Sequence, residues 1–224
     1  MAASTPSLAS TPTSSRWTSK HTLWLLLGLI GISVIFSTEI PILRDRTGFN
    51  HDYFLKLAHD RLLLIPHALC GIAATFIGPL QFSSRLRRKH LALHRILGRV
   101  YVFAILFAAI CSLILTQGSG LELATYFQAG SWILCTLIAF LLARNGHIAQ
   151  HRQWMVRSYA VTFTFIATRA FDFIPSYLTM STSAANLNII LITAVSAWLL
   201  PDVAFHWHDL ITGRSTPTRT KPVN

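Results

Sequence analysis

Apolar residues run on along this chain; they do not alternate. From Leu62 to Phe82, Ile96 to Thr116, Leu123 to Ala143, Trp154 to Ile174 and Ala184 to Phe205, Leu, Ile, Ala, Val and Phe dominate. A hydrocarbon core of ~30 Å takes about 20 helical residues at ~1.5 Å each, and every one of these runs is long enough for one crossing. An earlier run, Leu23 to Phe36, is a further candidate. It could be the apolar part of a secretory signal. The long tail before it and the lack of a small-x-small site after it favour an uncleaved first span. The pattern predicts an all-α, polytopic membrane bundle of six helices. Strands do not fit, because period-two alternation is missing and the runs are twice barrel-strand length.

Between the runs the chain is polar and basic. Residues 1–20 are rich in Ser, Thr, Ala and Pro with no acid, which predicts a disordered tail. Residues 21–208 form the expected bundle and 209–224 a basic tail. Composition agrees: 52% of residues are hydrophobic, 12% are charged and mean hydropathy is +0.49, where a soluble domain is about a quarter charged. The net charge of +11 and pI of about 10.5 raise nucleic acid as a partner. The placement of the cations answers otherwise. With the N-terminus inside, Arg16, Lys20, Arg85, Arg87, Arg88, Lys89, Arg95, Arg99, Arg144, Arg152, Arg157, Arg214, Arg219 and Lys221 fall on the inner side. Only Arg44, Arg46, Lys56 and Arg61 fall on the outer side, and Arg169 lies within the fifth run. That asymmetry predicts a multi-pass membrane protein with both termini in the cytoplasm and no nucleic-acid role. Cys70, Cys111 and Cys135 sit inside apolar runs and read as small buried residues with no disulfide.

One constellation occurs twice. His90-Leu-Ala-Leu-His94-Arg95 leads to Arg99-Val-Tyr101, and His147-Ile-Ala-Gln-His151-Arg152 leads to Arg157-Ser-Tyr159. The flanking runs hint at a duplicated hairpin with both copies in one orientation. Three chemistries suit the pattern. Histidines four apart share a helix face, so two pairs could offer four imidazoles to zinc or iron. Alternatively, His94 and His151 alone, at matching depth, would hold a b-type haem between facing helices, with Arg95, Arg99, Arg152 and Arg157 near its propionates. In the third reading the cations contact anionic lipid headgroups, and Tyr101, Trp154 and Tyr159 are interfacial anchors. His90 and His147 read as loop residues.

His67 follows Pro66 inside a run, where an ionisable ring needs a partner. A hydrogen bond to a neighbouring helix, a quinone contact, a proton relay and a second ligand site are its candidate roles. Arg169 can pair with Asp172 three residues on, or bind an anion. His206 and His208 flank Trp207 and read as interface residues. No Gly-rich phosphate loop, Gly-x-Ser-x-Gly or His-Glu-x-x-His motif is present, so the sequence assigns no enzymatic reaction.

Pro66-His67 through Gly78-Pro79-Leu80-Gln81-Phe82, then Arg85 and His94-Arg95-x-x-Gly98-Arg99-Val-Tyr101, resembles a family of predicted multi-span bacterial membrane proteins of unknown function. His151-Arg152-x-Trp154-Met155-x-Arg157-Ser158-Tyr159 with Arg169 is similar to a second block of that family. The resemblance covers roughly residues 60–175. It implies a multi-span membrane protein with His67, His94, His151, Arg157 and Arg169 as positions to test, and it supplies no activity.

Overall fold

A computed structural model describes residues 60–171, 174 and 180–212. The expected first span, the N-terminal tail, residues 213–224 of the expected C-terminal tail and the outer cations Arg44, Arg46 and Lys56 lie outside the described residues; positions 209–212, expected in that tail, continue the last helix. Within them the chain is helical: α1 (Arg61–Gln81), the short α2 (Ser84–Lys89), α3 (Leu91–Leu115), α4 (Glu122–Arg144), α5 (Ile148–Phe171), α6 (Thr182–Ala194) and α7 (Leu200–Thr212). A π-helical turn, Val195–Leu199, joins α6 to α7 into one long rod. It ends two residues before Pro201, whose missing N–H leaves the helical ladder to be re-made with a wider turn.

Four of these helices are long and apolar enough to cross a membrane: Leu62–Gln81, Leu91–Leu115, Glu122–Arg144 and Thr182–Trp207. α5, expected as an apolar span, has the length at 24 residues but is more polar than the others. Its position accounts for this. α1 packs on α3, α3 on α4, α4 on α5, and α5 returns to α1 while also carrying the π turn, α6 and α7. Polar side chains on α5 therefore meet protein instead of lipid. Surfaces facing away from the bundle are greasy: Leu69, Phe103, Leu123 and Leu187 are all more than half exposed. The interior is built from small residues, with Ala74, Ala108, Ala109, Ala129, Ala139 and Ala197 all fully buried. Small residues inside and large apolar ones outside is the pattern expected when lipid is the solvent and backbones must approach closely.

The order of packing sets what can meet. α3 and α5 run in the same direction and lie across the bundle from each other, separated by α1 and α4. They are parallel diagonals, and not the antiparallel neighbours that would pair spans three and five directly. One end of the bundle gathers the α1–α2–α3 and α4–α5 connections, with Arg85, Arg87, Arg88, Lys89, Arg95, Arg99, Arg144, Arg152 and Arg157. We call it the basic end.

The doubled histidine pattern has a local explanation at that end. α4 stops with Gly146 in the left-handed region (φ 78°). There the N–H of Gly146 bonds the Ala143 carbonyl and that of His147 the Leu142 carbonyl, a Schellman closure. The His147 carbonyl then accepts from the N–H of His151 at 2.9 Å and starts α5. In the other copy His90 ends α2, and its carbonyl accepts from the N–H of His94 at 3.0 Å to start α3. In both copies the first histidine is an exposed helix-start residue and the second is in the first turn. His90 and His147 are thus outside the helices, as the sequence suggests.

Candidate functional site

His94 and His151 are half-buried at the starts of the diagonal helices α3 and α5. His151 directs Nδ1 at the Ala139 carbonyl of α4, 2.8 Å away. A carbonyl only accepts, so Nδ1 carries the proton, and in the neutral ring Nε2 keeps its lone pair. The Nδ1 of His94 is buried with no hydrogen-bond partner. Both rings stand in the first turn of their helices at the basic end, and the Tyr101 hydroxyl ties those helices together two turns further in. Among the described residues no group of three or more His, Cys, Asp or Glu side chains gathers into a metal site. The four-imidazole site is accordingly not assembled, and His90 and His147 stay at the exposed helix starts.

The end of α1 packs on α3 at Gly98, one helical turn beyond His94. Gln81 is 6% exposed, and its Nε2 is the other buried polar atom without a partner. Its amide oxygen lies 3.3 Å from where a Cβ on Gly98 would stand, close enough that a side chain there would shift the carboxamide by a few tenths of an ångström. Arg87 of α2 donates to the Gln81 carbonyl at 3.0 Å and ties α2 back onto the end of α1.

Of the expected anion-binding arginines, Arg95, Arg99 and Arg152 are exposed at the basic end. Arg157 is different. It forms an ion pair with Asp202 of α7 and lies over the rings of Trp154 (5.1 Å) and Phe205 (5.7 Å). Its guanidinium is engaged by an acid and two rings of the protein, partners that the spacing after His151 does not reveal. Asp202 supplies an acid beside the second constellation that is out of sight in the sequence, because it lies 45 positions further on.

Tyr101 and Tyr159 are not interfacial anchors. Tyr101 is fully buried and reaches across the diagonal from α3 to α5, its hydroxyl 3.1 Å from Ser158 Oγ and 3.3 Å from Thr162 Oγ1. Thr136 Oγ1 of α4 lies 2.7 Å from Ser158 Oγ, and Trp132 Nε1 donates to Thr162 Oγ1 at 2.9 Å. One turn on, Gln128 donates to Thr164 Oγ1 at 2.8 Å. Tyr101 and these six polar side chains of α4 and α5 are buried and satisfied, which is the condition for placing them in a low-dielectric core. Tyr101→Phe should leave Ser158 and Thr162 short of a partner and cost ~1–3 kcal/mol. The check is unfolding of the purified protein in mixed micelles, where an unchanged midpoint would show that the tie contributes nothing.

Tyr159 docks on α1. Pro79 has no N–H, so the Thr75 carbonyl four residues earlier lacks its helical donor. The Tyr159 hydroxyl donates to that carbonyl at 3.2 Å. Its ring lies on the backbone at Gly78 and edge-on to Phe82 (5.9 Å between centroids). His67 is likewise a helix tie: its Nδ1 donates to the Ala108 carbonyl of α3 at 2.9 Å, the neighbouring-helix bond that was one of its expected roles. Arg169 falls on the α5 backbone; its side chain and Asp172 lie outside the described residues, as does the His208 side chain.

Against known families, residues 64–207 match DUF2306, described as a predicted membrane protein. The chain belongs to the DUF2306 family. The match spans well over half the chain and runs from α1 through α7. It contains His67, Gln81, His94, Tyr101, His151, Arg157 and Asp202. The resemblance drawn from the sequence motifs is thereby confirmed, and the family's description carries a membrane location and no activity. Neither the curated proteins nor the solved structures contain a match to the chain.

Proposed function

We propose that this DUF2306 protein is a six-span bacterial inner-membrane protein with both termini in the cytoplasm, and that its basic end binds a b-type haem through His94 and His151 for membrane electron transfer. The orientation follows from the cations gathered at the basic end. α5 counts as a span because bundle helices wall it on several sides, and the first span is the run Leu23–Phe36.

The observation that carries the haem reading is the pair of half-buried imidazoles in the first turns of two diagonal helices, at the same end of the bundle and on helices that Tyr101 ties together. His151 is held by the Ala139 carbonyl in the tautomer whose Nε2 lone pair is available. A haem needs two such nitrogens and no third protein ligand, which suits a site where no larger cluster of ligating side chains forms. The buried, unpartnered His94 Nδ1 and Gln81 Nε2 mark polar capacity that the protein leaves unused. Haem would supply one-electron redox chemistry there. The protein's part is to orient the two rings, to keep bulk water out with the α1–α2 wall, and to offer Arg95, Arg99 and Arg152 to carboxylates. A quinone contact at His67 is the less supported companion role, because its Nδ1 is committed to Ala108.

A reduced-minus-oxidised absorption spectrum of protein expressed with ample haem tests this directly. The expected result is a b-type band that disappears completely in His94→Ala and in His151→Ala. A colourless wild-type protein would sink the reading. A second reading is favoured by the exposed Arg85, Arg88, Lys89 and Arg95. In it the same end holds anionic lipid headgroups, at about 1 kcal/mol per cation near the surface, and the colourless outcome would leave that one standing.

A further inference from the structure

Two buried side-chain polar atoms among the described residues have no partner, Gln81 Nε2 and His94 Nδ1, one at the end of α1 and the other in the first turn of α3, which packs on it. Gln81 is at the last position of α1, and its carboxamide is pressed against Gly98. Gly98 is one helical turn beyond His94, hence on the same face of α3. The amide oxygen and nitrogen occupy interchangeable positions, and which is which follows from the hydrogen bonds they make. A half-turn of the amide exchanges a sealed donor for a sealed acceptor on the side where Nε2 now stands. His94 needs such an acceptor if its Nδ1 is to carry the proton. His151 already has one in the Ala139 carbonyl.

We propose that Gln81 is the positioning residue of His94: its buried carboxamide oxygen accepts from His94 Nδ1–H, directly or through one bridging water, and leaves the Nε2 lone pair facing the site. The inference deepens the reading of His94 as a ligand and rests on it. Histidine ligands commonly donate their second nitrogen to a partner that sets tautomer and ring orientation. Here the two partners differ in kind. Ala139 offers a main-chain oxygen that no substitution removes, whereas Gln81 offers a side chain, so the tautomer of His94 depends on one residue identity. Arg87 holds the same turn through the Gln81 carbonyl and cannot itself accept. Arg95, the other cation acting on His94, cannot accept either.

The test is made on the full chain, 15N-labelled at histidine, in lipid nanodiscs without added haem and at a pH where the imidazoles are neutral. The His94 signal is assigned by its loss in His94→Gln. The wild type should show the Nδ1–H tautomer at His94. Gln81→Leu should move the ratio about tenfold toward Nε2–H, the scale of one hydrogen bond, and Gln81→Glu should keep Nδ1–H. Where Gln81→Leu fails to assemble, Gln81→Met, close in shape and without the amide, takes its place. An unchanged His94 tautomer in the leucine or methionine variant overturns the proposal. In haem-loaded protein Gln81→Leu should retain the band and shift its midpoint potential, and an unshifted potential also counts against Gln81. A wild type with no haem band overturns the haem reading alone, since the tautomer is read without haem.

Discussion

Gly78→Val is expected to stop α1 from seating against α5, the largest single-residue effect this bundle should show. Even a methyl group at Gly78 would overlap the Tyr159 ring, with a ring carbon of Tyr101 3.4 Å behind. The obstacle is the body of an aromatic ring, itself wedged beside Phe82, and cannot swing aside as a flexible chain end would. Overpacking of this kind costs ~1–3 kcal/mol and more where rigid groups collide. Displacing Tyr159 also removes its bond to the Thr75 carbonyl, about 1 kcal/mol in addition. That carbonyl has no substitute donor, because Pro79 took its helical one away. Unfolding midpoints in mixed micelles should fall for Gly78→Ala and further for Gly78→Val. A double mutant with Tyr159→Ala should recover much of the loss. If the penalty is the same with and without the ring, the two residues are not coupled and the account is wrong.

Asp202→Ala should follow at ~3 kcal/mol, toward the lower end of what breaking a buried pair costs. The two partners are unequal. The Arg157 side chain is 11% exposed and that of Asp202 is 54% exposed. Taking away the carboxylate strands a nearly sealed guanidinium between Trp154 and Phe205, which cannot be deprotonated to escape. Taking away the cation in Arg157→Met strands only an acid that water already reaches, and the methionine keeps much of the packing. The prediction is therefore an asymmetry: Asp202→Ala is clearly worse than Arg157→Met in thermal unfolding of detergent-solubilised protein, and the double variant recovers stability over Asp202→Ala alone. Equal costs for the two single variants would mean that the pair is solvated like an ordinary surface contact.

These two cases also mark where reading the chain succeeds and where it stops. Span lengths, the loop placement of His90 and His147 and the gathering of cations at one end follow from neighbours in sequence. The family motif around His67, His94 and His151 did so too. Arg157 shows the opposite. Its spacing after His151 suggested a propionate partner, yet its charge is answered by an aspartate 45 positions away. Tyr101 shared a pattern with interface anchors, and the fold turned it inward onto Ser158 and Thr162. Gln81 carried no signal beyond its place in the family-like stretch, although Gly98 opposite it is a trace of the close approach. Gln128, Trp132, Thr136, Ser158, Thr162 and Thr164 read as ordinary polar interruptions of apolar helices until their partners are known.

Hydrophobic run length, cap residues and charge asymmetry are properties of short stretches measured against a bilayer of known thickness. For that reason an all-helical membrane protein with a basic end was legible before any packing was seen. Which helices are neighbours is set by small residues meeting across the bundle, Ala74, Ala108 and Ala139 among them, and by ties such as Tyr159 to Thr75. No local pattern encodes those pairings. Packing alone put α3 and α5 on the diagonal with His94 and His151 at the same end, gave Arg157 to Asp202, and left Gln81 and His94 with buried atoms in want of a partner.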